Sequence, residues 1–206
     1  MRKSSKLLFA SLTAALLLAT AVGTSSANRL SINERSYTIR WTALRFIAAG
    51  NTVTCSVTLE GSFHSATIRK IERLLVGHIT RASVAGCSGG SATVLRESLP
   101  WHVQYAGFTG RLPAIATVKL LLVGAAFQVQ PSGNLACLAR TSEARPAVGI
   151  AGIEEAGGVT ELAAEVGAEI PLEGSGGLCR FAGAGHFEGT GTPTKLGGGA
   201  LVIRLI

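Results

Sequence analysis

The segment Gly86-Cys-Ser-Gly-Gly90 fits the G-x-S-x-G pattern, in which a serine on a sharp turn between a strand and a helix attacks a carbonyl carbon. Such a serine needs an acid and a base behind it, and Glu161 or Glu165 followed by His186 would supply them in the chain order of a small secreted esterase. The element after the serine argues otherwise. Ser91-Ala-Thr-Val-Leu95 carries β-branched residues that suit a strand, where an elbow requires a helix. The segment therefore reads as a Gly-rich hairpin whose Cys87 enters a disulfide, and a serine hydrolase using Ser88 is the alternative.

Other chemistry is limited by what the chain lacks. All twelve acidic residues are Glu, which excludes Asp-based calcium loops and any Ser-His-Asp triad. The four histidines, 64, 78, 102 and 186, are too dispersed for a local metal motif, although distant residues can converge in space. His64 and His102 each follow an aromatic, so on strands they face outward while Phe63 and Trp101 face in. A Glu pair working as general acid and base, with Glu60 and Glu97 as candidates, has no positive signal. There is no phosphate-binding G-x-x-x-x-G-K-[ST] loop and no aromatic cluster of the RNA-binding kind, and no cofactor or metal is expected.

Met1-Arg-Lys-Ser-Ser-Lys6, the apolar run from Leu7 to Val22 and Ser25-Ser-Ala27 together read as a secretory signal, with cleavage expected after Ala27. The run falls short of the roughly 20 residues of a lasting span, and Ala200-Leu-Val-Ile-Arg-Leu-Ile206 is far shorter. An exported protein, secreted or held at the cell envelope, is expected, with residues 28–206 as a single β-rich domain and a sub-boundary conceivable near 131–134. Export sets the redox compartment. Four cysteines there read as two disulfides, and pairing Cys55 with Cys87 and Cys137 with Cys179 keeps each bridge within one half of the chain. A zinc site would want closely spaced pairs, and there are none.

Charge divides along the chain. Residues 28–140 hold 12 Lys and Arg against 4 Glu, whereas residues 141–206 hold 4 against 8. A basic half could hold an anionic envelope polymer, and an acidic half could pair with it within or between molecules. Nucleic acid is not expected as a partner, because export removes it and three basic residues leave with the signal.

Period-two alternation recurs through the exported part, the pattern of half-buried strands. Tyr37, Ile39 and Trp41 share one face, as do Val53, Cys55, Val57 and Leu59. Further strands are expected at 74–84, 92–95, 101–108, 115–123, 126–130, 148–153, 160–172 and 201–205, separated by Gly, Pro, Asn and Ser. Gly167 and Pro171 disfavour a helix over 160–173, and alternation there puts Leu162, Ala164, Val166, Ala168, Ile170 and Leu172 together. The Gly-rich stretch 174–199 is expected to loop, with a short strand near His186 and Phe187. The fold class is all-β: an antiparallel sandwich or barrel-like domain, stapled by disulfides.

Two stretches, Val53-Thr-Cys-Ser-Val-Thr-Leu-Glu-Gly-Ser-Phe-His64 and Leu99-Pro-Trp-His-Val-Gln-Tyr105 with Phe108-Thr-Gly-Arg-Leu-Pro113, resemble uncharacterised exported proteins of high-GC actinobacteria. That resemblance implies a bacterial origin and an exported address, and it brings no activity with it. The expected function is a non-enzymatic β domain of the envelope or medium, binding a polymer or protein through an exposed strand edge or its basic half. Besides the serine hydrolase, a self-assembling envelope subunit is the alternative, suggested by the opposite charges of the two halves.

Overall fold

The computed structural model describes residues 29–48, 50–111, 114–133, 136–154, 157–165, 170–173 and 184–206. The expected signal segment and Cys179 lie outside them. In chain order the strands are β1 Arg29–Ile32, β2 Ser36–Ala48, β3 Asn51–Phe63, β4 Thr67–Arg69, β5 Leu75–Ser88, β6 Gly90–Val94, β7 Trp101–Arg111, β8 Ala114–Val123, β9 Ala126–Pro131, β10 Cys137–Arg140, β11 Ala147–Ile153, β12 Val159–Glu165, β13 Ile170–Glu173, β14 Ala184–Lys195 and β15 Ile203–Leu205. A 3-10 turn at Arg96–Ser98 joins β6 to β7, and no helix among the described residues is long and apolar enough to cross a membrane.

The all-β antiparallel fold expected from the alternation is present, and its main body is a closed barrel. The ring runs β2-β3-β5-β7-β8-β11-β12-β14 and returns to β2, antiparallel at every step. Alternation in β3 shows why it closes. Val53, Cys55, Val57, Leu59 and Phe63 are buried, while the Thr, Ser and Glu between them face out half-exposed, so one face has to find a core. Outward positions on β2, β3, β5 and β14 are mainly Thr, Ser, Arg and Glu, the reverse of the apolar band carried by a barrel that crosses a bilayer.

β2, β3, β5 and β14 have 12 to 14 residues each and outrun the barrel. A second sheet, ordered β13-β10-β9-β6, joins β14 through β13 and covers their far halves. Phe127 of β9 is the hinge of that packing, with its ring 5.3 Å from Phe46, 5.4 Å from Phe187 and 5.2 Å from Trp101. The opposite end is covered by a small β15-β1-β4 sheet, which buries Leu30, Ile32, Ile68 and Ile203 in the same hydrophobic cluster. Cys55 and Cys87 are bonded, joining β3 to β5. Cys137 is also disulfide-bonded, and its expected partner Cys179 lies outside the described residues. β9 and β10, on either side of 131–134, pair with each other.

Two expectations about strands fail. Residues 184–195 form a full strand of the barrel instead of a short one inside a loop. Its glycines are the reason. Gly191 lies opposite Trp41, and a Cβ there would strike Cε2, Cδ2 and Nε1 of the indole at 2.6, 2.7 and 2.8 Å. Glycine here makes room for a tryptophan and does not mark a break. The expected strand 160–172 is two: β12 belongs to the barrel ring, whereas β13 bridges β14 to the second sheet, so the alternation spans a change of sheet.

Candidate functional site

Ser88 ends β5, exposed, opposite Thr54 of β3. The chain turns through Gly89 (φ 75°) and Gly90 (φ 151°) into β6, a strand and not the helix of a nucleophile elbow. A Cβ on Gly89 would collide with the Thr52 carbonyl oxygen, so the glycines serve a tight crossing from one sheet to the other. No histidine is close. Ser62, eight residues along β3 from Thr54, is opposite His78, which puts His78 roughly 26 Å from Ser88 at about 3.3 Å per residue. His186 lies opposite Ile47, which is opposite Thr52, so two further strands separate it from β5 and the gap is on the order of 14 Å. Glu161 lies farther round the ring on β12, beyond β14. Serine, histidine and Glu161 stay apart; Cys87 is bonded as expected, but the Gly-rich segment is a crossing between sheets and not the expected hairpin, since β5 pairs with β3 and β6 with β9.

The Glu pair fares similarly. Glu60 is engaged by Arg81 at 2.9 Å, and Glu97 is exposed on the 3-10 turn. Phe63 and Trp101 are buried and His64 and His102 exposed, as the alternation predicts.

Three of the four histidines do converge, which their spacing of 14 and 24 residues could not reveal. His78 of β5 lies opposite His102 of β7, and the loop after β3 brings His64 to the same place. His64 Nε2 is 2.8 Å from His78 Nδ1, and the ring of His102 is 5.1 Å from that of His78. Partial burial, and then the charges of His64 and His102, hold the His78 pKa below the ordinary histidine value. Among the described residues no three His, Cys, Asp or Glu side chains are placed to hold a metal ion. The signal that could have found the trio is the β3-β5-β7 register, which depends on bulges at Glu60/Gly61 and Leu75/Gly77.

Room for a partner lies along the edge of β5. Its pairing with β7 ends at Ile79; from residue 80 to residue 88 it pairs with β3 alone. Thr80, Arg81, Ser83, Ala85 and Ser88 are exposed there, and Ala82 and Val84, which point toward the core, are only half-buried. Beside this edge lies a cleft of about 410 Å³ between Thr80 to Ser83 of β5, Thr58 and Glu60 of β3, and Arg96 and Leu99. The adjoining outer face carries rows of hydroxyl and guanidinium groups, for example Thr192, Arg40, Thr58 and Ser83 across four strands.

The charge halves mix in the fold. β14, from the acidic half, lies beside β2, where Glu188 holds Arg45 at 3.0 Å, and Glu143 approaches Arg73 at 3.9 Å. These pairs are exposed and contribute little stability, but they leave Arg40 as the outward guanidinium of that face without an ion-pair partner among the described residues. No family model, curated protein or solved structure shows a significant match to the chain.

Proposed function

We propose that the chain is an exported, non-enzymatic binding domain of the cell envelope or medium, and that it takes a protein partner by strand addition along the open edge of β5. The observation carrying this reading is that residues 80–88 have a ladder partner on one side only, next to a cleft able to receive a second backbone. An open edge presents unpaired N–H and C=O groups, and an extended segment satisfies them whatever its sequence, while the flanking cleft selects side chains. The distance between Ser88 and every described histidine weighs against the hydrolase alternative.

An anionic envelope polymer on the Arg40 face is the second reading, favoured by the hydroxyl and guanidinium rows. Two of the three arginines around that face, Arg45 and Arg81, already hold carboxylates, which makes it the weaker of the two. Co-sedimentation of the oxidised protein with actinobacterial envelopes across a salt series separates them. Strand addition predicts pelleting that survives salt and is abolished by Val84→Lys, which places a charge on the half-buried side of the edge. Polymer binding predicts pelleting that fades with salt and is weakened by Arg40→Ala. Pelleting without envelopes would indicate self-assembly through the same edge.

A further inference from the structure

Two of the three converging histidines have nitrogens aimed at each other on fixed backbones. Ser62 of β3 lies opposite His78 of β5, and the His64 backbone N–H donates to the Val76 carbonyl at 2.9 Å, so His64 and His78 are diagonal neighbours on one face. His78 sits in a ladder on each side, with β3 and with β7, and the bond to Val76 ties His64 to β5. Between the side chains, His64 Nε2 and His78 Nδ1 are 2.8 Å apart and the ring centroids 4.6 Å apart. Rings joined end to end by a straight hydrogen bond of that length would have centroids about 5 Å apart, so these two are inclined to one another. Small rotations of the two rings are enough to turn both lone pairs toward one point.

The spacing selects the kind of ion. Imidazole nitrogen binds a divalent late transition metal at about 2.0–2.1 Å. Two nitrogens 2.8 Å apart, each at that range, subtend about 85–90° at the ion, the angle between adjacent ligands in the tetragonal sites of copper(II) and nickel(II). Tetrahedral zinc would require the nitrogens about 3.3 Å apart. Burial, with the charges of His64 and His102 behind it, lowers the His78 pKa, so protons compete less for this nitrogen. His102 lies opposite His78 but does not complete a three-residue site, since among the described residues no three such donors are placed to hold an ion. No cysteine among the described residues is free to compete.

We infer that His64 Nε2 and His78 Nδ1 form a two-point surface site for a tetragonal divalent cation, copper(II) foremost, with water in its other positions. The ion takes the place of the hydrogen between the two nitrogens. The ring that donated that hydrogen carries its proton on the other nitrogen instead, so the neutral pair binds without net proton release. Copper(II) is preferred over nickel(II) and zinc(II) because it binds nitrogen most strongly of the three and accepts the right-angled arrangement. This site goes beyond partner binding at the β5 edge and does not depend on it.

The test uses the oxidised, tag-free chain from residue 28 onward, in a non-coordinating buffer above the ordinary histidine pKa of about 6.5. Calorimetric titration is expected to show one copper(II) site, with zinc(II) bound roughly tenfold or more weakly. Holding one ion at two points makes the second bond intramolecular, so His64→Gln and His78→Gln should each weaken copper(II) binding by roughly tenfold or more, while His186→Gln leaves it unchanged. In the wild-type proton spectrum, substoichiometric copper(II) should broaden the imidazole signals of His64 and His78 before that of His186. Unchanged affinity in both of the first two variants, or loss of the His186 signal as early as the others, would overturn the inference. Zinc(II) bound as tightly as copper(II) would overturn the assignment to a tetragonal ion. The spectrum is read on the wild-type chain, so a variant that fails to fold does not remove the test.

Discussion

The Cys55–Cys87 bridge ties β3 to β5 at the far end of the barrel, where β5 has lost its second neighbour. Replacing both cysteines by alanine therefore has a global effect and a local one. A sequence separation of 32 residues gives a chain-entropy contribution of about 3.7 kcal/mol at 25 °C, so the variant is expected to lose close to that amount in urea denaturation. The local effect is the sharper test. Residues 80–88 keep only one ladder after the change, whereas β3 keeps β2 on its other side. Hydrogen exchange should accelerate most across 80–88, less across β3, and least across β7, β8 and β11, which lie on the closed side of the ring. Uniform acceleration over all the barrel strands, or unchanged protection at 80–88, would refute the reasoning that the disulfide secures an edge.

Other outcomes follow from the same geometry. Gly191→Ala forces a methyl group into the Trp41 indole and is expected to lower stability by about 1–3 kcal/mol in chemical denaturation. His78 has a lowered pKa in the folded chain, so the unfolded chain takes up the proton more readily. Its contribution to stability is present above the ordinary histidine value of 6.5 and is lost as pH falls through that region. The melting temperature should accordingly fall more between about pH 8 and about pH 5 in the wild type than in His78→Gln.

The fold class was legible because alternation states which face of each strand is buried. Tyr37, Ile39 and Trp41 on β2, and Val53 to Leu59 on β3, turn inward as their spacing says. Barrel closure was not legible, because it depends on β12 and β14 pairing across the chain, and β14 carries glycines that usually mark a turn. At Gly191 the physical reason for glycine is the indole opposite, a tertiary fact with no local trace. β1, β4 and β10 are three or four residues long, too short for a periodic signal to stand out. The histidine trio was invisible for a related reason: a one-residue change in any of the bulges of β3 and β5 would have turned His78 to the other face. The strand after Ser88 was legible because β-branched residues are a local cue, and the bonded pair Cys55–Cys87 was the simplest pairing within one half of the chain, but the expected hairpin at Gly86 to Gly90 is a crossing between sheets, β5 pairing with β3 and β6 with β9.

The most direct test of the binding account is hydrogen exchange of the oxidised protein with and without actinobacterial envelope material, read at residues 80–88. Consecutive amides of a strand point to opposite edges, and those facing β3 are protected already. Strand addition predicts that the remaining, alternate amides of this segment slow down when envelopes are present, with little change on the Arg40 face. Protection that appears around Arg40, Thr58 and Thr192 while residues 80–88 exchange as before would contradict it and place the partner on the hydroxyl and guanidinium face instead.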